Sequence, residues 1–145
     1  MTTSKKIIGM ALTLSAVLLS TPAMARDDAL YLPIKDVLNS DMGKEKLDGS
    51  VKFHFGGSGG GTTLKAGVVS NRKTNAFGKS DEQACQVAML SALIAFQETA
   101  KQMGATKVNN LNSYYKKNLY RSSTQYECHA GGFIAGVALR GDIAR

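Results

Sequence analysis

The sequence predicts an α+β domain in which about five mostly antiparallel strands pack on one long central helix. One apolar segment, residues 81–103, begins and ends with helix signals, and the segments on either side of it alternate apolar and polar residues as half-buried strands do. The chain has 145 residues, of which 43% are hydrophobic and 20% charged, and this composition is typical of one globular domain.

The first 25 residues have the pattern of a secretory signal peptide. Lys5 and Lys6 precede an apolar run, residues 7–19, which is followed by TPAMA at residues 21–25. The run has about 13 residues, whereas a membrane-spanning helix needs roughly 20, so a cleaved signal is favoured over an anchor. We predict cleavage after Ala25, periplasmic localisation and a single mature domain, residues 26–145, without a transmembrane segment.

The basic excess of the chain suggests anionic partners. The sequence has 18 lysines and arginines against 11 acids, and removal of the signal leaves 16 against 11, a net charge of +5. An exported protein meets lipopolysaccharide, anionic lipid head groups or peptidoglycan rather than nucleic acid, so we expect no nucleic-acid partner. A charge that only keeps the protein soluble is the alternative interpretation.

Cys85 and Cys128 are the two cysteines of the chain. An even number of cysteines in an exported domain favours a disulfide, which at this spacing contributes on the order of 4 kcal/mol. A metal pair with His129 or His54 and a reactive thiol are the alternatives. Zinc sites use closely spaced ligand pairs, which these residues do not form. We therefore predict a disulfide and expect no metal or cofactor.

The elements before the long helix are predicted in order along the chain. Residues 26–32 are a short lead-in. A short helix follows Pro33 and runs to about Ser40, because apolar residues recur there at i, i+3 and i+4. Residues 41–49 are charged and are predicted to be flexible.

A strand, a glycine-rich loop and a second strand follow. Residues 50–55 alternate, so we expect a half-buried strand with His54 on its solvent face. The loop, residues 56–61, has the glycine spacing of a phosphate-binding loop, but Thr62 stands where that motif has its lysine. We therefore predict a flexible hairpin connection to a strand over residues 63–70.

Residues 71–79 are predicted to be a polar loop that leads into the long helix. Ser80 is followed three residues later by glutamine, which forms a capping box, and Gly104 ends the helix after residues 81–103. The segment Val87–Phe96 is apolar almost all round, so this helix is either the centre of the domain or part of a subunit interface. A homodimer is therefore one alternative.

Strands are predicted for the rest of the chain. Residues 107–115 alternate imperfectly, and residues 119–128 alternate more regularly, with Cys128 on the face that packs on the helix. The disulfide would then join helix to sheet. The apolar residues of a final strand share one face, and they are Phe133, Ala135, Val137, Leu139 and Ile143.

Three runs of this sequence resemble a family of small exported bacterial proteins of unknown function, whose members often carry the label "excinuclease ATPase subunit". The runs are Ser70–Cys85 (SNRKTNAFGKSDEQAC), Ser91–Val108 (SALIAFQETAKQMGATKV) and Tyr126–Leu139 (YECHAGGFIAGVAL). The label itself is not supported, because the chain has neither an intact phosphate-binding loop nor zinc-finger cysteine pairs.

A more distant resemblance is to the RcsF/YbjQ-like α+β fold. It is carried by Gly104-Ala105 at the end of the helix and by the later strand that contains Cys128. RcsF is an envelope-stress sensor, so the resemblance implies a binding and signalling role in the cell envelope.

We predict a non-enzymatic binding or structural module of the cell envelope, whose partner is an envelope protein or an anionic envelope polymer. The candidate contact residues lie in two basic stretches, which are Arg72, Lys73, Thr74 and Asn75 and then Lys116, Lys117 and Arg121. Helix capping is the alternative interpretation of the first stretch, and a simple turn between strands is that of the second.

Two other functions were weighed. An enzyme could use Glu127 and Asp142 as a carboxylate pair. The G-x-S-x-G match at residues 56–60 leads into a predicted strand rather than a helix, so it is not a nucleophile elbow, and we predict that the protein is not an enzyme. The alternative function is a metal- or small-ligand-binding periplasmic protein that uses Cys85, Cys128 and His129.

Overall fold

The computed structural model describes residues 26–145, so the signal peptide predicted for residues 1–25 lies outside the described residues. The described chain is α+β, with seven strands and three helices. In chain order they are β1 (Asp28–Pro33), α1 (Ile34–Leu38), α2 (Asp41–Lys46), β2 (Lys52–Phe55), β3 (Thr63–Asn75), α3 (Asp81–Gln102), β4 (Lys107–Tyr115), β5 (Asn118–Tyr120), β6 (Gln125–Ala130) and β7 (Ile134–Ala144). The predicted class is confirmed, and the estimate of about five strands was too low.

Strand β7 is the centre of the sheet. β3 pairs with it along its whole length, from Thr63 opposite Ala144 to Asn75 opposite Ile134. The other edge of β7 is shared by β4 and β6, and the path through the sheet is β1-β6-β7-β4-β2. Every pairing is antiparallel except that of β2 with β4, which is parallel. The sheet is therefore mostly antiparallel, as predicted, and it is curled.

Helix α3 has the bounds that its sequence signals predict. The Ser80 hydroxyl accepts a hydrogen bond from the Gln83 amide, and the Gln83 side chain accepts one from the Ser80 amide, both at 3.1 Å. The helix ends at Gln102 with Met103 as its C-cap, and Gly104 follows at a φ of +67°. In the chain from residue 26 onwards, no helix is both long enough and apolar enough to cross a bilayer.

The predicted disulfide joins this helix to the sheet. Cys85 of α3 and Cys128 of β6 are bonded, their Cα atoms lie 5.8 Å apart, and both residues are fully buried. They belong to the same buried core as the largest buried side chains, among them Phe96, Met89 and Tyr126. The bond therefore lies within the hydrophobic core.

Two elements before the long helix were missed by the sequence prediction. The predicted lead-in is strand β1, which pairs with β6 from Asp28 opposite Ala130 to Pro33 opposite Gln125. The stretch predicted to be flexible holds helix α2, whose first turn is capped by the Ser40 hydroxyl.

Two predicted segment boundaries were also wrong. Residues 71–75, predicted to be loop, continue strand β3 because β7 offers pairing partners along its full length. The strand predicted over residues 119–128 is interrupted between β5 and β6. The Ser122 hydroxyl accepts hydrogen bonds from the amides of Thr124 and Gln125 there, which forms a turn.

The glycine-rich loop is not a hairpin connection, because β2 and β3 do not pair with each other. The Asn109 side chain holds it, since its Oδ1 accepts from the Gly59 amide and its Nδ2 donates to the Gly60 carbonyl, both at 2.9 Å. Gly59 covers the His54 ring so closely that a Cβ there would overlap the imidazole. The Nε2 of His54 is consequently buried without a hydrogen-bond partner, which corrects the prediction that this histidine faces solvent.

Arg26 ties the start of the described chain to the first turn of α3. Its Nη1 and Nη2 lie 2.8 Å and 2.9 Å from the two carboxylate oxygens of Asp81, and its guanidinium also contacts Asp28 and the Gly131 carbonyl. These hydrogen bonds and the charge of Arg26 lower the pKa of Asp81 below its ordinary value. The pair therefore belongs to the interactions that hold β1 against the rest of the domain.

We expect the double replacement Cys85→Ala with Cys128→Ala to lower the free energy of unfolding by about 4 kcal/mol. The bond closes a loop of 43 residues, and its loss restores that conformational freedom to the unfolded chain. Urea denaturation followed by circular dichroism measures the change. The control is dithiothreitol, which should destabilise the wild-type protein and leave the double variant unchanged. An unchanged wild-type midpoint after full reduction would contradict this expectation.

We expect Arg26→Gln to lower the melting temperature at pH 7 and to do so less in acid. A carboxyl whose pKa is lowered in the folded state adds stability above its unfolded pKa, and this stability is lost as the pH falls through the folded pKa. The difference between variant and wild type should thus shrink between about pH 5 and pH 2. Lys44→Gln on α2 is the control for loss of one positive charge. A difference in melting temperature that is equal at neutral pH and in acid would exclude the Arg26–Asp81 ion pair as its cause.

Candidate functional site

A cleft opens where the end of β6 meets the start of β7, beside the β4–β5 turn and the last residues of β3. Its volume is about 260 Å³. The polar and aromatic residues that line it are Arg26, Asp27, Lys73, Tyr115, His129 and Phe133, and Gly136 lines it as well. We call this the His129 cleft.

His129 is held between two carboxylates. Its Nδ1 lies 3.0 Å from Asp27 Oδ1 and its Nε2 lies 2.9 Å from Glu127 Oε2. Alternation along β6 explains the placement, because Cys128 points into the core and its two neighbours point to the other face. An imidazole protonated on both nitrogens can donate to both carboxylates, whereas the neutral ring donates only once. Both ring nitrogens of His129 thus lie within hydrogen-bond distance of a carboxylate oxygen.

Tyr115 stacks on this histidine. The two ring centroids are 3.6 Å apart and the planes differ by 9°. Burial, and then the negative charges of Asp27 and Glu127, raise the pKa of Tyr115. The hydroxyl of Tyr31 lies 3.4 Å from Glu127 Oε1, and the charge of Glu127 is the largest cause that raises the Tyr31 pKa. Both phenols therefore stay protonated at neutral pH and are available as donors.

The turn that carries Lys116 and Lys117 is strained. Both residues have positive φ, +50° and +63°, which a two-residue hairpin turn of type I′ requires and which asparagine and glycine adopt more readily. Lys116 Nζ lies 3.9 Å from Asp27 Oδ2 and 5.7 Å from the centroid of the Tyr115 ring. The strained turn thus brings a cation to the rim of the His129 cleft.

A second, wider groove adjoins the cleft. It has a volume of about 640 Å³ and is lined by Lys73, Thr74, Asn75, Phe77, Phe133 and Ile134. The two phenylalanines and Ile134 are 75%, 73% and 54% exposed. The Ala76 amide donates to the Phe133 carbonyl at 2.8 Å, which brings the two aromatic segments together. We call this the aromatic groove; Lys73, Phe133 and Ile134 line both it and the His129 cleft.

The structure divides the candidate contact residues among several separate places. Lys73, Thr74 and Asn75 lie on strand β3 rather than in a loop, and they line the aromatic groove. Arg72, next to them on β3, borders a different groove beside α3. Lys116 reaches the His129 cleft, as described above.

The remaining candidates lie elsewhere. Lys117 is exposed in the strained turn. Arg121 donates from Nη1 to the Gly56 carbonyl at 3.1 Å, so it belongs to the glycine-rich loop. The second basic stretch is therefore not one continuous patch.

The residues that give both sites their character were not predicted from the sequence. Phe133 was assigned to the buried face of the last strand, but it precedes β7 and is exposed. Phe77 was passed over within a polar stretch, where an isolated aromatic residue is a signal of exposure. Asp27 gave no signal, because its partner His129 is 102 residues away.

The residues weighed for other chemistry are separated or occupied. Asp142 accepts hydrogen bonds from the Gly67 amide and the Asn110 side chain, whereas Glu127 binds His129, so the two carboxylates serve different networks. Asp27 and Glu127 lie on opposite nitrogens of the His129 ring and do not converge on one point. The disulfide leaves neither cysteine as a thiolate for a metal.

Comparison of the chain with protein-family models, with curated proteins and with solved structures finds no match in any of the three.

We expect the double variant Lys116→Asn with Lys117→Gly to raise the free energy of unfolding by about 1–2 kcal/mol, because it relieves two side chains held at positive φ. Urea denaturation measures the change. The double variant Lys35→Gln with Lys44→Gln removes two charges elsewhere without relief of strain, and it is the matched control. A loss of stability in the turn variant would show that the contacts of Lys116 outweigh the strain.

Proposed function

We propose that this protein is a periplasmic, non-enzymatic binding module of the cell envelope, which holds an envelope protein or an anionic envelope polymer. Two observations support the compartment. The first 25 residues have the pattern of a signal peptide cleaved after Ala25, and the Cys85–Cys128 disulfide is of the kind that persists in oxidising compartments.

The aromatic groove is the observation that carries the proposal. Phe77 and Phe133 are largely exposed to solvent, and both line one groove together with Ile134 and Lys73. Aromatic residues beside a cation are typical of surfaces that bind partners. In this proposal Lys73 supplies the attraction for an anionic group and the aromatic side chains supply the apolar contact area.

The RcsF/YbjQ-like arrangement and a role like that of a stress sensor are part of this proposal. The long helix packed on a curled, mostly antiparallel sheet is consistent with the resemblance seen in the sequence. The His129 cleft lies beside the binding surface, and charged groups of Asp27, Glu127 and Lys116 surround it. In this proposal the charge of a bound partner acts on these groups, and the protein senses the partner in this way.

Binding of a small ligand in the His129 cleft is the second candidate function. A volume of about 260 Å³ suits a small polar molecule, and the cleft offers both a cation, Lys73, and a flat ring, Tyr115. Metal binding through Cys85 and Cys128 would require the reduced protein, because their sulfur atoms are bonded to each other in the disulfide.

Site-specific photo-cross-linking in intact cells tests the proposed surface. A benzophenone amino acid in place of Phe77 or Phe133 should form a discrete adduct with an envelope component. Adding Lys73→Glu to the same proteins should reduce that adduct about tenfold, because the attraction for an anionic group becomes a repulsion. The label at Met42 or Leu119, apolar residues that are also exposed but lie on other elements, is the control.

The pattern of adducts decides the outcome. Equal adducts at the control positions, or none at the two groove positions, would overturn the proposed surface. Purified peptidoglycan and lipopolysaccharide, added to the wild-type protein and to Lys73→Glu in a sedimentation assay, show whether the partner is a polymer.

A further inference from the structure

We propose that the free edge of strand β3 binds an extended, acidic segment of a partner protein, which adds to the sheet as a further strand beside helix α3. This inference names the class of partner for the proposed binding module, and to that extent it rests on the proposed function. The surface concerned, the groove beside α3, is different from the aromatic groove.

Strand β3 has one unpaired edge. Among residues 26–145 it pairs with β7 alone, although it is 13 residues long. Its register with β7 shifts only before Val68, so Val68–Asn75 is a regular stretch of eight paired positions. Alternate residues of such a stretch direct their amide and carbonyl groups outward, where they can pair with another chain. The free edge is therefore long enough for an added strand.

A narrow groove runs between this edge and α3. Its volume is about 140 Å³, and its walls include Ser70 and Arg72 from β3 and Ala95, Phe96 and Thr99 from α3. A strand edge beside a helix is the arrangement in which several recognition domains accept an extended peptide. The small side chains of Ala95 and Thr99 leave space there for the side chains of an added strand.

Ser70 points to a ligand independently of this geometry. Its residue is 7% exposed, it lines the groove, and its Oγ has no hydrogen-bond partner among the described residues. A buried hydroxyl without a partner is unfavourable, so a ligand that supplies a donor or acceptor there gains affinity. A polar group of an added strand would meet this need.

The charge of β3 selects an acidic segment. The strand carries Lys65, Arg72 and Lys73 and no acid, and the adjacent turns of α3 add one exposed acid, Glu98. A second copy of the chain is a poorer occupant, since antiparallel self-pairing of Val68–Asn75 would place Arg72 of one copy opposite Asn71 of the other and make Arg72 and Lys73 diagonal neighbours across the two-fold axis. Long side chains of like charge at diagonal positions are within reach of each other, which disfavours self-pairing.

Fluorescence anisotropy with a defined probe tests the inference. The probe is a labelled eight-residue peptide of alternating valine and glutamate, and the same peptide with lysine for glutamate is its control. We expect the acidic peptide to bind the purified, oxidised protein about tenfold more tightly than the basic one. Lys65→Glu with Arg72→Glu should remove this preference, whereas Lys35→Glu with Lys44→Glu, an equal charge change on α1 and α2, should keep it.

N-methylated peptides separate strand addition from charge attraction alone. Methylation of the valine amides blocks one edge of the peptide and methylation of the glutamate amides blocks the other. We expect the groove to favour one orientation of the peptide, in which one edge of the peptide pairs with β3. The peptide methylated on that edge should therefore bind about tenfold more weakly, while the other keeps its affinity. Hydrogen exchange should then show new protection of amides within residues 68–72, which line the groove beside α3 and not the aromatic groove.

Two results would overturn the inference: equal affinity of both methylated peptides and the parent, or protection confined to the aromatic groove or the Lys116–Lys117 turn. Lack of peptide binding together with adducts at Phe77 and Phe133 would mean that only this inference fails. Peptide binding at residues 68–75 without those adducts would mean that the aromatic groove is not the contact surface.

Discussion

The sharing of one edge of strand β7 is the constraint on which the rest of the structure depends. β4 pairs with the second half of this edge and β6 with the first residues, at His129 opposite Gly136 and Ala130 opposite Ala135. Two strands that leave the same edge must diverge, which curls the sheet, and helix α3 packs against it through β3, β6 and β7. The opposite edge of β7 is taken by β3 alone, and no other strand of residues 26–145 pairs with the outer edge of β3.

The His129 cleft follows from the divergence of β4 and β6. Tyr115, at the end of β4, reaches across to stack on the His129 ring, while Asp27 approaches from the segment before β1. The disulfide supports this arrangement from beneath, since Cys128 is the residue before His129 and is bonded to α3. A movement of β6 relative to the helix would therefore disturb the cleft directly. In this way one covalent bond in the core helps to define a polar site on the surface.

The two proposed contact surfaces meet on one strand. Lys73 and Asn75 line the aromatic groove, while Ser70 and Arg72 border the groove beside α3. The strand serves both because the two grooves lie at different places along its length, residues 68–72 and residues 73–75. Its basic side chains and the bulges before Val68 also discourage unspecific pairing of the edge, which is how natural proteins protect exposed strands. The same features that limit aggregation leave a regular, positively charged edge for a specific partner.

Elements whose causes lie within a few residues could be predicted from the sequence. The capping box at Ser80 and the glycine after Met103 predict α3, alternation predicts β4, and an even number of cysteines in a chain whose first 25 residues have the pattern of a signal peptide predicts the disulfide. The other elements depend on contacts between distant parts of the chain. β1 exists as a strand because β6, about 100 residues later, offers it hydrogen-bond partners, and the second half of β3 is a strand because β7 continues beside it. The burial of His54 and the exposure of Phe133 depend on which backbone covers each ring. Such pairings have no local signal, since the stabilising contact is made with residues that are distant in the chain.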